Sequence, residues 1–181
     1  MSRLTAIDPN TATGKAGELL HAVKAKMGMI PNMTRVMANS PAVLESYLGM
    51  SGALAGGTLS AHLRQELALA TAQENGCDYC LSAHSAIGKM VGLTEEEILG
   101  SRRGAVEDAK ATAAIVFSNR VLATRGSLDD ADIIAVRTAG FNDGEIAEII
   151  AHAALNIFTN YFNKAAQVEI DFPKVSSQAL G

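Results

Sequence analysis

The feature that most constrains the fold is a long amphipathic pattern near the C-terminus. Apolar residues recur there three and four positions apart, as on one face of a helix: Ile146, Ile149, Ile150, Ala153, Ile157 and Tyr161. Shorter segments with the same periodicity fill the rest of the chain, separated by glycine, asparagine and proline, which stop helices. No segment shows the alternation of apolar and polar residues that is typical of a β-strand. The sequence therefore predicts an all-α bundle of about seven to nine helices.

Several helix ends carry local signals. Thr94 and Glu97 have the spacing of a capping box, in which two side chains bind the free backbone N–H groups at a helix start. Apolar spacing predicts a helix from about Ala105 to Thr124, with Val116 among its inward-facing residues. Ser127 is the expected cap of the helix that follows.

Composition and charge narrow the class of protein. Hydrophobic residues make up 48% of the 181 and aromatic residues only 4%, which favours closely packed helices in one domain spanning 1–181. The net charge of −4 argues against nucleic acid as a partner, because phosphate binding needs a basic surface. The N-terminal run MSRLTAIDPN lacks the apolar core of a secretory signal, and no stretch approaches the roughly 20 apolar residues of a membrane span. We therefore expect a cytoplasmic protein that does not bind membranes.

The chemistry-bearing stretch is ENGCDYCLSAH, which contains both cysteines of the chain. Cys77 and Cys80 have C-x-x-C spacing, and His84 follows one helical turn later. Asn75 and Gly76 break the preceding helix, so both cysteines should lie in the first turn of a new one, where the helix N-terminus stabilises a thiolate. Two thiols and an imidazole on one helix face can carry out dithiol–disulfide chemistry.

Two other interpretations of this face stay open. Cys77, Cys80 and His84 could bind zinc, although a structural zinc site takes four ligands and the chain has no second C-x-x-C. The cysteines could also be small core residues. Redox chemistry is favoured, because a disulfide between cysteines only three positions apart adds little to stability, and a reducing compartment disfavours structural disulfides. A thioredoxin-type site is disfavoured, since no βαβ pattern surrounds the motif.

The run NGCDYCLSAH, followed by GLTEEEI, resembles the AhpD-like alkylhydroperoxidases, which share the carboxymuconolactone decarboxylase fold. The upstream segment IPNMTRVMANSPAVLESYLGMSGAL and the downstream segment DADIIAVRTAGFNDGEIAEIIAHAALNIFTNYFNKAAQVEIDFP resemble the two halves of a peroxidase-related branch of that family. The resemblance covers nearly the whole chain. It implies one AhpD-like helical domain with its redox motif at 66–84, assembled into trimers or hexamers.

The resemblance also implies an activity, namely thiol-dependent reduction of hydroperoxides. In that scheme Cys80 attacks the peroxide, Cys77 resolves the product into a disulfide, and His84 belongs to the proton relay. No bound cofactor is implied; an external dithiol, such as a lipoyl protein, would be the reductant and partner. The alternatives are a carboxymuconolactone decarboxylase-type lyase, which needs no cysteine pair, and a redox sensor without turnover.

The chain departs from the family pattern at two positions. The relay glutamate of the family would lie twelve residues before Cys77, where this chain has Gln65. Glu66 is then the expected relay carboxylate, Glu74 is the second choice, and the third possibility is a relay without a carboxylate. The family motif places a histidine just before the second cysteine, where this chain has Tyr79, a poor base near neutral pH.

A polar stripe flanks the apolar face of the last long helix. Its side chains recur at helical spacing: Glu145, Glu148, His152, Asn156, Thr159 and Asn163. The pattern is typical of a solvated helix face or of a subunit interface. The asparagines and threonine, in place of lysine and arginine, indicate partial burial.

Overall fold

The structure is a computed structural model that describes residues 2–180, and within that range its regular secondary structure consists of α-helices alone. Its elements are α1 (Gly14–Met27), α2 (Asn32–Met37), α3 (Pro41–Ala55), α4 (Ala61–Glu74), α5 (Asp78–Val91), α6 (Glu95–Arg103), α7 (Ala109–Thr124), α8 (Asp130–Thr138) and α9 (Asp143–Ala166). The predicted all-α fold is confirmed. None of the described helices is long and apolar enough to cross a membrane.

The helix ends follow local capping chemistry. The capping box of α6 forms as predicted: the Thr94 hydroxyl accepts from the Glu97 backbone N–H, and the Glu97 carboxylate accepts from the Thr94 N–H. Two predicted starts were early. Helix α7 begins after Asp108, whose carboxylate accepts from the Lys110 N–H at 2.8 Å, and α8 begins after Asp129 instead of Ser127. In both cases the N-cap is an aspartate that lies further along the chain than the predicted start.

Helix α4 is the central element, because it packs against α5, α6, α7 and α9. Its apolar residues enter two hydrophobic clusters on different sides. Leu69 joins the cluster formed with α1, α2, α3 and α5, whereas Leu67 joins the cluster formed with α7, α8 and α9. Both side chains are completely buried. The two sides of α4 therefore face different environments.

Three residues predicted to face inward are exposed. Val116 is 51% exposed, Ile150 is 40% exposed and Tyr161 is 59% exposed. On α9, Ile149 and Ala153 fill the core and are fully buried. Because successive helical residues are rotated by about 100°, the apolar stripe of α9 is wider than the surface that the rest of the chain covers.

The C-terminal segment after α9 returns along α5. The backbone N–H and the hydroxyl of Ser177 both donate to Asp78 Oδ1, at 2.8 and 2.7 Å. The Val175 N–H donates to the Ser82 hydroxyl at 2.9 Å. These bonds hold the segment against the first turns of the helix that carries the cysteines.

Candidate functional site

The two cysteines form a disulfide at the start of α5. Cys77 is the N-cap residue, Cys80 lies in the first turn, and their Cα atoms are 5.3 Å apart. The predicted break precedes them, since Gly76 has a φ of 58°, a conformation that glycine adopts without strain. Helix α9 holds this break: the Asn160 Oδ1 accepts from Asn75 Nδ2 at 2.9 Å. The local sequence and a long-range contact thus position the pair together.

The sulfur atoms of Cys77 and Cys80 differ in their access to a cavity. Cys77 is 1% exposed and Cys80 is 2% exposed. Cys80 lines a cavity of about 320 Å³, whereas Cys77 does not. The cavity is lined in part by the exposed side chains of Lys26 and Met27. A small molecule that enters it therefore meets the sulfur of Cys80 first.

His84 lines the same cavity and is oriented by Gln65. Its Nδ1 lies 2.8 Å from Gln65 Oε1. An amide oxygen only accepts, so Nδ1 carries the hydrogen and Nε2 keeps a free lone pair. Burial lowers the pKa of His84 to about 4, because the charged imidazolium loses its hydration. The side chain is therefore a neutral base at pH 7.

Asn163 contacts the sulfur of Cys80 directly. Its Nδ2 donates to Cys80 Sγ at 3.3 Å and to Met33 Sδ at 3.2 Å. The side chain is 3% exposed, and its Oδ1 has no hydrogen-bond partner among the described residues. A donor beside the sulfur favours the thiolate over the thiol in the reduced protein. From the sequence alone, Asn163 is one residue of a polar helix stripe, and no contact with the cysteine is predicted.

Four of the six residues in the polar stripe on α9 are buried and line the cavity. His152, Asn156, Thr159 and Asn163 are 3–6% exposed and belong to its wall. A solvated face is thus wrong for these four residues. Of the remaining two, Glu145 belongs to the capping box of α9, since it accepts from the Asn142 N–H. Glu148 accepts from the N–H groups of Thr58 and Leu59 in the loop before α4. The sequence signal for this burial is asparagine and threonine in place of lysine and arginine, which predicts partial burial, whereas the structure buries the four side chains almost completely.

The structure does not bring Glu66 to the cysteine pair. Its side chain is 5% exposed and lines a separate cavity with Glu97, Asp108 and Glu145. Burial, with repulsion from Glu97 and Asp108, raises its pKa. Adjacent positions on α4 are rotated by about 100°, so Gln65 faces the redox cavity while Glu66 faces away. The α4 side chain that contacts His84 is therefore the Gln65 amide, which orients the imidazole, and not the expected carboxylate of Glu66.

The other expected carboxylate and the tyrosine also have defined places. Glu74 is exposed at the end of α4 and lies outside the cavity wall. Tyr79 is 5% exposed, its hydroxyl accepts from the Met33 N–H at 3.1 Å, and its ring packs edge-on against Phe172 at 5.9 Å. Burial raises its pKa well above the ordinary value. Tyr79 thus ties α2 to α5 and is no base.

Within residues 2–180, no group of three or more histidine, cysteine, aspartate or glutamate side chains is arranged to hold a metal ion. The zinc interpretation of Cys77, Cys80 and His84 therefore has no geometric support in this disulfide form.

Comparison with known proteins gives a partial match to a family model and a shared fold. The model of the carboxymuconolactone decarboxylase family matches residues 41–124. A peroxidase-related protein from Ralstonia eutropha, described as an alkylhydroperoxidase AhpD core, shares 22% identity over 94% of this chain and 92% of its own, with a TM-score of 0.85. A peroxidase-related protein from a Silicibacter species shares 24% identity over 91% of both chains, with a TM-score of 0.79.

A third solved structure widens the range of chemistry found on this fold. It is the debrominase Bmp8 in complex with 2,3,4-tribromopyrrole, with 17% identity over 98% of this chain and 94% of its own, and a TM-score of 0.77. No curated protein matches the chain. At these identities the solved structures establish the fold, and activity must be argued from the site itself.

Proposed function

We propose that this protein is a thiol-dependent peroxidase, because residues 41–124 match the model of the carboxymuconolactone decarboxylase family and the chain has the AhpD-like helical fold. It reduces hydroperoxides through a dithiol–disulfide cycle of Cys77 and Cys80. The observation that carries the proposal is the bonded pair in which Cys80 faces a cavity that also contains His84 and Asn163.

The first step oxidises Cys80. In the reduced protein the free Nε2 of His84 accepts the thiol proton, directly or through water, and Asn163 Nδ2 stabilises the thiolate. The thiolate attacks one oxygen of the hydroperoxide, the O–O bond breaks, and Cys80 becomes a sulfenic acid. The departing alkoxide takes the proton from His84 and leaves as an alcohol.

The second step closes the disulfide. The thiolate of Cys77 attacks the sulfenic sulfur of Cys80, an S–S bond forms, and the hydroxyl leaves as water with the proton of Cys77. The two residues are in position for this step, because Cys77 caps the helix in whose first turn Cys80 lies. The peroxide is thereby reduced by two electrons, which the two thiols supply.

The third step restores the thiols. An external dithiol attacks Cys80 Sγ from the cavity, Cys77 leaves as a thiolate, and the second external thiol resolves the mixed disulfide. Both protein sulfurs are buried, so a dithiol on a slender arm suits this site better than one fixed on a globular surface. A lipoyl group is such a dithiol, and we propose a lipoyl protein as the reductant.

The test is a thiol titration with intact-mass measurement, before and after a small excess of cumene hydroperoxide. We expect the loss of both thiols and of about two mass units, reversed by a dithiol. Cys80→Ser should abolish turnover, and Cys77→Ser should stop at the sulfenic acid. Turnover that survives in the Cys80→Ser protein would refute the assignment.

The same preparations test the two alternatives. Decarboxylation of a muconolactone-type acid by a protein with both cysteines changed to serine would favour the lyase. Stoichiometric disulfide formation without sustained turnover, whatever dithiol is supplied, would favour a redox sensor.

A further inference from the structure

The charged residues of the redox cavity all have one sign. Among the described residues of its wall there is no aspartate or glutamate, whereas Lys26 and Arg64 are both present. Lys26 is exposed on α1, and Arg64 is half-buried on α4. The whole chain carries a net charge of −4. The cavity wall, with two cationic side chains and no carboxylate, therefore has the opposite sign of charge from the chain as a whole. Such a wall attracts an anionic ligand.

Most hydrogen-bond donors of the Arg64 guanidinium have no partner within the described structure. Its Nη1 donates to the Leu59 carbonyl at 2.7 Å, the one hydrogen bond that the described structure gives this side chain. A guanidinium has five N–H donors. Most of them therefore remain for a ligand in the cavity, and a carboxylate is the group whose two oxygens match that fork.

Two unpaired polar atoms lie in the same cavity wall as this cation. His152 and Asn156 are one turn apart on α9, both at least nine-tenths buried, and line the cavity. His152 Nε2 and Asn156 Nδ2 have no hydrogen-bond partner in the described structure. An amide nitrogen only donates, so Asn156 calls for an acceptor. Burial lowers the pKa of His152, the charge of Arg64 lowers it further, and Glu148 has an opposing effect.

The remaining wall is largely apolar and connects this group to the sulfur. Ala68, Ala83 and Leu155 are among its residues. Asn156 and Asn163 are seven residues apart on α9, which corresponds to about 10 Å along the helix. A ligand that reached from Asn156 to Cys80 would therefore need an apolar body several carbon atoms long.

We propose that the cavity binds a carboxylate-bearing organic hydroperoxide, with its carboxylate at Arg64, His152 and Asn156 and its peroxide at Cys80. The inference rests on the proposed peroxidase function and adds the substrate class to it. The reaction follows the steps given above. The hydroperoxide is reduced to a hydroxy acid that keeps its carboxylate, and the two cysteines are oxidised to the disulfide with release of water.

The experiment compares three hydroperoxides on the pre-reduced protein. They are a medium-chain fatty acid with a terminal hydroperoxide, the methyl ester of that compound, and cumene hydroperoxide. The rate of disulfide formation is measured by stopped-flow thiol titration. We expect the acid to react at least about tenfold faster than its ester at low substrate concentration, the effect of one charge-assisted contact.

Variants assign that advantage to the proposed residues. Arg64→Met and Asn156→Leu should each reduce the ratio of acid to ester rates towards one, while Arg64→Lys should keep part of it. Lys24→Met is the matched control, because it removes an exposed charge on α1 outside the cavity wall and should leave the ratio unchanged. Thermal unfolding checks that each variant is folded.

The outcomes separate the inference from the function on which it rests. If all three hydroperoxides oxidise the wild-type protein and the acid has no advantage over the ester, the substrate class is wrong and the peroxidase stands. If no hydroperoxide forms the disulfide, the peroxidase itself is wrong and the inference falls with it. An acid preference that persists in both Arg64→Met and Asn156→Leu would also overturn the assignment of the carboxylate site.

Discussion

Asn163 gives the two cysteines different environments. Its amide nitrogen lies 3.3 Å from Cys80 Sγ, whereas Cys77 Sγ accepts from the Cys80 backbone N–H at 3.3 Å. The hydrogen bond to Cys77 Sγ is local, because an N-cap side chain accepts from a backbone N–H in the first turn of its own helix. The contact with Cys80 depends on a side chain 83 residues away in sequence. The difference supports Cys80 as the attacking thiol, and it can be measured.

The first prediction concerns that amide. Asn163→Leu should raise the pKa of the Cys80 thiol by about one unit, since a hydrogen bond to a charged group contributes about 1.5–3 kcal/mol. The oxidation rate at pH 7 should fall about tenfold. The measurement is the pH dependence of alkylation in a Cys77→Ser background. Asn119→Leu on α7, outside the cavity wall, is the matched control, and an unchanged thiol pKa in Asn163→Leu would contradict the role.

The second prediction concerns the amide that replaces the relay carboxylate. Gln65→Glu places a carboxylate 2.8 Å from His84 Nδ1 and should raise the pKa of His84 from its value of about 4. In the wild type His84 stays neutral above about pH 5, so oxidation rates should show no break from His84 near neutral pH. In the variant the protonated imidazole should pair with the Cys80 thiolate and increase the oxidation rate at pH 7.

Proton NMR of the His84 ring across pH 3–8 measures this directly. Glu66→Gln is the control, because it changes the neighbouring residue that lines the other cavity, and it should leave the His84 titration where it is. A His84 titration that does not move in Gln65→Glu would show that the amide oxygen is not its partner.

At the scale of the helix, the sequence predicted what is decided locally. The capping box at Thr94 and the placement of Cys77 and Cys80 in the first turn of α5 depend on residues within one turn of each other. Whether Gln65 or Glu66 faces the sulfur depends instead on which neighbours surround α4. The periodicity of α4 offers no answer, because apolar residues occur on several of its sides and the helix is buried between two clusters.

The same limit explains the polar stripe of α9. His152, Asn156 and Asn163 have the spacing of a solvated face. They are buried because α4 and α5 cover them and enclose a cavity between the helices. A polar side chain turned into a cavity and one turned to solvent leave the same periodicity in a sequence. Only tertiary structure distinguishes them.

The third prediction concerns the C-terminal segment on α5. Asp78→Ala removes the acceptor of two hydrogen bonds from Ser177 and should lower the free energy of unfolding by about 1–3 kcal/mol. It should also increase hydrogen exchange in residues 173–180. Asp143→Ala is the control, since this carboxylate pairs with Arg137 on the surface, where a pair contributes about 0–1 kcal/mol. Equal destabilisation by the two variants would show that the segment is not held through Asp78.

At the scale of the molecule, α9 leaves apolar surface that the described chain does not cover. Ile150, Phe158 and Tyr161 are 38–59% exposed, and their spacing of eight and three residues places them within about 80° of each other around the helix. The opposite side of α9 lines the redox cavity through His152 and Asn163. A second copy that covered the exposed side would also fix the helix from which the cavity wall is built. The trimer or hexamer implied by the family resemblance stays a proposal, and this surface is where we place its contact.

The fourth prediction tests that placement. The wild-type protein should sediment as a trimer or hexamer at micromolar concentration, and the double variant Phe158→Asp/Tyr161→Asp should sediment as a smaller species, because two buried carboxylates would have to lose their hydration at the interface. Met90→Asp is the matched control: Met90 is 83% exposed on α5, away from the α9 surface, and its replacement should leave the assembly intact. A monomeric wild type, or a double variant of unchanged mass, would exclude α9 as the contact. If the variant is smaller and also oxidises more slowly with cumene hydroperoxide, the assembly supports the cavity as well as the surface.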